Sequence, residues 1–149
     1  MEESLEIRVP RSPREREAAF ALRWRILRQP WNQPPGSERD DLDDTAFLLV
    51  AVTFAGEVLG TGRLQRVDGQ TGQVRYMAVD PRTRGRGTGL AILRGLEAEA
   101  GRWGLRRLVL NARADVVGFY EKAGYSVTGP APTLFGTIEH QRMERTLGE

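Results

Sequence analysis

Residues 77–90, MAVDPRTRGRGTGL, place a glycine-rich turn between two apolar segments. The run QVRYMAV (73–79) before the turn is predicted as a β-strand. After the turn, apolar residues recur along one face of a predicted helix, at Leu90, Leu93, Leu96, Ala100 and Trp103. Gly85, Gly87 and Gly89 lack the Cβ atoms that would keep backbone N–H groups from an anion, and a helix N-terminus attracts negative charge. The stretch therefore predicts a phosphate-binding turn that leads into a helix starting at Leu90.

Two common phosphate-binding loops do not match this turn. A Walker loop requires a lysine followed by serine or threonine, and the only lysine of the chain is Lys122. A dinucleotide-binding fingerprint requires a third glycine where Leu90 stands, and no strand–helix–strand unit opens the chain. The turn is therefore predicted to be a different kind of phosphate site, to which Arg82, Arg84 and Arg86 add positive charge.

The composition narrows the chemistry that this turn can serve. At 149 residues the chain fits one domain over 1–149, and it has no cysteine, which excludes disulfides and thiol nucleophiles. A metal site is not expected, because His140 is the only histidine and the acidic run lacks a metal-loop pattern. A net charge of +2 disfavours a nucleic-acid binder. Without a long apolar run or a secretory signal pattern, a cytoplasmic protein that does not bind membranes is expected.

The remaining segments predict a single α+β domain with a mixed sheet. Residues 4–9 are predicted as a strand, and a helix that begins after Ser12 is ended by Pro30. A loop rich in proline and acidic residues (30–45) then precedes a hairpin of two strands, 46–54 and 58–67. Beyond the glycine turn and its helix, the predicted order is a strand at 106–111, a short helix at 116–123, and closing strands at 125–129 and 140–147.

Two motifs together resemble the GNAT N-acetyltransferase superfamily. The turn VDPRTRGRGTG (79–89) is similar to the family's pyrophosphate loop, whose pattern Gln/Arg-x-x-Gly-x-Gly/Ala is filled by Arg84, Gly87 and Gly89. The segment FYEKAGY (119–125) is similar to the family's apolar-Tyr-x-Lys-x-Gly-Phe/Tyr motif, at the expected distance along the chain. The resemblance covers essentially the whole chain. It implies a mostly antiparallel mixed sheet, flanked by helices, whose central strands splay apart.

The sequence also resembles the ElaA-like bacterial branch of this family. The shared features are the spacing LNARADVVGFY (110–120), the acidic loop after the first helix, and the closing pair His140 and Met143. The chain departs from that branch at Phe47, where a histidine commonly begins the second strand. It departs from many family members at Arg113, where an asparagine commonly precedes the tyrosine by seven residues, so a contact from Asn111 to the cofactor is the nearest equivalent.

The resemblance implies acetyl-CoA as cosubstrate and a role for each motif residue. Tyr120 would protonate the departing thiolate, since a phenol can donate a proton to sulfur as charge develops. Backbone groups of Met77, Ala78 and Val79 would bind the pantetheine, with Asn111 as a further contact. The pyrophosphate would be cradled by the segment that comprises Arg84, Gly85, Arg86, Gly87, Thr88, Gly89 and Leu90.

The predicted function is direct acetyl transfer from acetyl-CoA to an amine of a small molecule or a peptide. Direct transfer is expected because the chain has no cysteine and no visible serine–histidine arrangement. A general base must take the amine proton, and the candidates are Glu38, Asp41 and His140, although the acidic loop is interpreted mainly as a solvated surface. The alternative is a non-catalytic acyl-CoA-binding or sensing module of the same fold. The family resemblance also includes a homodimer among the expected assemblies.

Overall fold

The computed structural model describes residues 4–148, so residues 1–3 and 149 of the expected domain 1–149 lie outside the described part. The strands are β1 (Leu5–Arg8), β2 (Phe47–Thr53), β3 (Val58–Arg66), β4 (Thr71–Val79), β5 (Arg107–Arg113), β6 (Ser126–Leu134) and β7 (Ile138–Thr146). The helices are α1 (Pro13–Leu27), α2 (Thr88–Arg102) and α3 (Val117–Lys122). Single 3-10 turns occupy Gln29–Trp31, Asp41–Asp44, Pro81–Thr83 and Ala114–Val116.

The seven strands form one sheet in the order β1-β2-β3-β4-β5-β7-β6. Every neighbouring pair is antiparallel except β4 and β5, which are joined through α2 and run parallel. The α+β class and the mostly antiparallel mixed sheet predicted from the sequence are therefore confirmed. None of the helices within residues 4–148 has both the length and the apolar character that a membrane crossing needs.

The sheet is covered on both faces, because alternate strand residues point to opposite sides. On one face Ile92, Leu93 and Leu96 of α2 pack against Leu49 and Leu64. On the other face α1 contributes Ala19 and Leu22, which pack against alternate residues of β2, namely Leu48, Val50 and Val52. Close approach of α2 depends on Gly60 and Gly62, because a Cβ at either position would come within 2.8 Å of an Ile92 side-chain carbon.

The centre of the sheet splits open between β4 and β5. Only Thr71–Gln73 of β4 pair with Arg107–Val109 of β5. The later residues of both strands have no partner across this boundary within the described chain. A bulge in β4, opposite Gly62 of β3, places Tyr76 at a φ of 55°, a left-handed conformation that non-glycine residues seldom adopt. The splayed central strands expected from the resemblance are thus present.

Several predicted boundaries need correction. Helix α2 begins at Thr88 and not at Leu90, because Gly87 at a φ of 82° turns the chain into the helix two residues earlier than the apolar pattern shows. Strand β7 begins at Ile138 and not at residue 140. The loop at 30–45 contains two 3-10 turns, which hydrophobic periodicity does not reveal because a single turn has no repeat.

Candidate active site

The glycine-rich turn is bonded to the sheet at its start and is closed by a hydroxyl pair at its base. At its start, Asp80 is 3% exposed, its N–H donates to the Leu59 carbonyl, and its carboxylate accepts from the Arg82 N–H. The Arg82 guanidinium beside Asp80 lowers the pKa of that carboxyl to about 2. At its end, the hydroxyls of Thr83 and Thr88 are 2.7 Å apart and both are buried. The turn between these two points is therefore held in one shape.

Backbone N–H groups along this turn are open. Those of Gly85, Gly87, Thr88, Gly89 and Leu90 have no acceptor among residues 4–148, and no side chain caps α2. Gly85 and Gly87 have φ values of 79° and 82°, and a Cβ at either site would meet no atom within 4 Å. A row of unsatisfied donors beside open space, at the N-terminus of a 15-residue helix, can bind an anion.

The arginines of the turn are already engaged by the protein. Arg82 donates to Glu57 at 2.8 Å as well as to Asp80. Arg84 donates from Nε to the carbonyl of Val79 at 3.2 Å. Backbone groups therefore offer the open anion-binding surface here, and Arg82 and Arg84 shape the turn.

The residues predicted to bind pantetheine lie along the split. Ala78 is 2% exposed and Met77 packs on the core, so their side chains face the protein while their strand borders the opening. Val79 ends this strand, where its carbonyl accepts from Arg84. Across the opening, Asn111 is exposed on β5 and pairs through its backbone with Arg142 of β7. The turn and the open strand edges form one continuous feature.

Tyr120 lies on α3 next to Phe119, whose ring would be 3.5 Å from a Cβ at Gly89 of the turn. Its ring makes edge-to-face contacts with Phe119 at 4.9 Å and Tyr125 at 5.9 Å between centroids, and the residue is 7% exposed. Burial raises the pKa of Tyr120 above its ordinary value, and the charge of nearby Arg113 offsets this only in part. Its hydroxyl has no hydrogen-bond partner within the described residues. The Tyr120 phenol is therefore protonated at physiological pH, and its hydroxyl is available to donate to a ligand.

An open cleft of about 890 Å³ lies next to the C-terminal end of β5. Its walls include Trp31 after α1, Arg113 at the end of β5, Asp115 just beyond it, and Glu139 at the start of β7. The Arg113 guanidinium lies 5.2 Å from the Trp31 ring centroid and pairs with Asp115 at 2.5 Å. The cleft is within the range of volumes that small-molecule sites have.

Trp31 and Glu139 are not predicted as site residues from the sequence. Nothing in the local pattern separates them from other polar-loop and strand residues. They meet only because the chain after α1 and the β6–β7 turn converge on the end of β5. A tryptophan directly after the helix-ending Pro30 is the one signal that could have drawn attention to this wall.

The three candidate bases have very different surroundings. Glu38 is 4% exposed and accepts from the Gly36 N–H and from Arg39, which hold its pKa below the ordinary value against the opposing effect of burial. Asp41 is exposed at the edge of the 3-10 turn. His140 is half-buried, and its Nδ1 lies 2.9 Å from the Ile138 carbonyl. Because a carbonyl can only accept, Nδ1 must carry the proton, which leaves Nε2 as a basic nitrogen in neutral His140.

The interpretation of the acidic loop as a solvated surface is wrong for several of its residues. Asp43 is 8% exposed and its Oδ1 accepts from Arg23 at 2.8 Å and Arg63 at 2.9 Å, two arginines with no exposed surface. Asp40 forms a bidentate pair with Arg63, which lowers its pKa to about 2. The loop therefore carries buried ion pairs that fix it to α1 and β3. Asp41 and Asp44 remain exposed.

Comparisons with known proteins point to one family. A sequence model described as the acetyltransferase (GNAT) family matches residues 16–125. A Lactobacillus plantarum protein described as an N-acetyltransferase has a similar fold. The TM-score is 0.84 at 24% identity, covering 97% of this chain and 99% of that one. ElaA from Escherichia coli has a TM-score of 0.80 at 19% identity, covering 95% and 99%. An aminoglycoside 6'-N-acetyltransferase complexed with coenzyme A has a TM-score of 0.78 at 17% identity, covering 97% and 98%.

Proposed function

Because this chain belongs to the GNAT acetyltransferase family, we propose that it transfers an acetyl group directly from acetyl-CoA to the amine of a small molecule or a peptide. The observation that carries the proposal is the row of open N–H groups at the start of α2, directly beside the split between β4 and β5. An anion cradle next to an unfilled gap in a sheet suits a ligand with a pyrophosphate and an extended amide arm.

The cofactor would be held mainly by backbone groups. The open N–H groups of this turn and of the first turn of α2 would donate to the pyrophosphate, namely those of Gly85, Gly87, Thr88, Gly89 and Leu90. The pantetheine amides would run along Met77, Ala78 and Val79 like an added strand, because that strand edge has no protein partner beyond Gln73 within the described chain. Asn111 would contribute from the opposite side of the split.

The reaction needs a proton donor and a proton acceptor. The amine nitrogen bonds to the acetyl carbon, the carbon–sulfur bond breaks, and the electron pair leaves with sulfur. Tyr120 would give its proton to this thiolate, since burial keeps the phenol protonated. Nε2 of His140 would take the proton lost by the amine nitrogen. His140 pairs across the ladder with Arg113 of the cleft wall, so the two side chains share one face.

Cofactor binding and transfer can be tested separately. At 100 times its dissociation constant, acetyl-CoA should stabilise the folded chain by about 2.7 kcal/mol and raise the melting temperature by roughly 5–10 °C. Thiol release in the presence of an amine panel then measures transfer. No shift at millimolar acetyl-CoA contradicts the cofactor assignment. A shift without thiol release for any amine favours the alternative of a non-catalytic acyl-CoA-binding module.

A further inference from the structure

Arg28, the residue that follows α1, has no carboxylate partner among residues 4–148. Its Nε donates to the Ser37 carbonyl and its Nη1 to the Leu27 carbonyl, both at 3.0 Å, while Nη2 makes no hydrogen bond. The guanidinium lies 5.6 Å from the ring centroid of Tyr76 and 5.4 Å from that of Phe135. It is half-buried, so a positive charge is held between two aromatic rings with one edge open.

The surroundings of Arg28 carry more positive than negative charge. Four guanidinium groups lie within 6 Å of the Tyr76 ring centroid, those of Arg23, Arg28, Arg63 and Arg75. The carboxylates that pair with these arginines are Asp40 and Asp43. Arg23 has no exposed surface, and its Nε and Nη2 lack hydrogen-bond partners. The cluster can therefore accept one further negative charge.

This cluster borders the cleft at the end of β5. The Arg28 carbonyl accepts from the N–H of Trp31, which forms one wall of the cleft. Phe135, the ring beside Arg28, directly precedes the lining residue Gly136. Through these two neighbours, Trp31 and Phe135, the unmatched positive charge of Arg28 lies beside the cleft.

We propose that the acceptor is a small amine that also carries a carboxylate, as an amino acid does, and that Arg28 selects it by binding this carboxylate. The inference rests on the proposed acetyl transfer and names its substrate class. The open edge of a guanidinium suits a carboxylate, and its half-buried position strengthens the ionic hydrogen bond.

The test compares amines that differ only in the carboxylate. Acetylation of each common amino acid and of its carboxamide is followed by thiol release, and the ratio of the two kcat/KM values is measured. The same ratio is then measured for R28Q, for R28K and for the control R102Q, whose arginine is exposed at the far end of α2. Comparing ratios between enzymes cancels the intrinsic reactivity of each amine.

The wild-type enzyme should prefer at least one amino acid over its carboxamide. R28Q should reduce this preference by about 10- to 100-fold, the effect of losing a charged hydrogen bond. R28K keeps the positive charge but loses the two parallel N–H donors of the guanidinium, so its preference should lie between those of the wild type and R28Q. The control R102Q should show the wild-type preference. Equal loss of kcat/KM on both members of each pair overturns the inference, because a purely structural role lowers both.

The inference and the proposed function fail in different ways. If acetyl-CoA does not stabilise the chain, or no amine of any kind is acetylated, the proposed function fails. If amines are acetylated but none of the amino acids is preferred over its carboxamide, the carboxylate assignment alone fails. The melting temperature of R28Q, measured with acetyl-CoA bound, shows whether any loss arises from unfolding.

Discussion

Tyr120 and Tyr125 are two buried tyrosines in one short segment, yet their hydroxyls have opposite surroundings. The Tyr125 hydroxyl donates to Glu97 at 2.8 Å. The Tyr120 hydroxyl has no partner among residues 4–148. The Tyr120 oxygen is not among the fully buried unpartnered atoms of residues 4–148, so it is open to a ligand, whereas the Tyr125 hydroxyl is part of the folded framework.

Tyr120→Phe should lower kcat by about 100-fold, because the departing thiolate loses its proton donor. Affinity for acetyl-CoA should stay the same, and the free energy of unfolding should change by less than about 1 kcal/mol because no hydrogen bond is lost. The measurements are steady-state kinetics, cofactor titration and urea unfolding.

Tyr125→Phe is the matched control for this prediction. It removes a hydrogen bond to a carboxylate and should destabilise the fold by about 1.5–3 kcal/mol with kcat unchanged. If Tyr120→Phe instead weakens cofactor binding as much as it lowers kcat, Tyr120 is a packing residue. The two variants together separate catalysis from packing on neighbouring side chains.

At the scale of elements, the glycine-rich turn and α2 depend on backbone conformation. Gly87 and Gly104 stand at opposite ends of α2, both at positive φ (82° and 76°) and both with open space where a Cβ would be. An alanine at either position meets the same backbone strain, about 1–2 kcal/mol. The two sites therefore differ in their proposed ligand and not in the cost of the substitution.

Gly87→Ala should weaken acetyl-CoA binding roughly tenfold, because relief of the strain turns N–H groups away from the pyrophosphate. The Gly104→Ala variant should lose a similar free energy of unfolding and should bind acetyl-CoA with unchanged affinity. Isothermal titration and thermal unfolding measure the two quantities. Equal affinity for the cofactor in both variants would refute the placement of the pyrophosphate at this turn.

The elements that the sequence predicted well are those with a regular repeat or a glycine signal. The face of α2 from Leu93 to Ala100 and the β2–β3 hairpin follow from hydrophobic spacing. The buried state of Asp43 could not be predicted, because it depends on Arg23 and Arg63, which reach it from α1 and β3. The cleft could not be predicted for the same reason, since its walls are distant in the chain.

At the scale of the whole molecule, arginines form ion pairs with buried or half-buried carboxylates at several places. The pairs are Arg8 with Glu15, Arg63 with Asp40, and Arg82 with Asp80. In each pair the arginine lowers the pKa of the carboxyl to about 2. The pairs join β1 to α1, the acidic loop to β3, and the end of β4 to the glycine-rich turn.

These pairs predict how stability depends on acid. The folded chain binds fewer protons than the unfolded chain on these carboxyls. Their contribution is therefore complete above about pH 5 and is lost as the pH falls from there toward 2. Urea midpoints should be independent of these groups from pH 7 to 5 and should fall steadily between pH 5 and 2. A midpoint that is constant down to pH 2 contradicts the prediction. Asp40→Asn should flatten part of the decline.

The split in the sheet also has a consequence for how the protein opens. Strands β1–β4 on one side and β5, β7 and β6 on the other share only three residue pairs, Thr71–Gln73 with Arg107–Val109. The core beneath α2 draws residues from both sides, so the short backbone ladder is the weakest connection between them, and hydrogen exchange should be fastest along it. A cofactor lying in the split, as proposed, would bond to both sides and make them open together. Cosubstrate binding would then change the cooperativity of the fold as well as its stability.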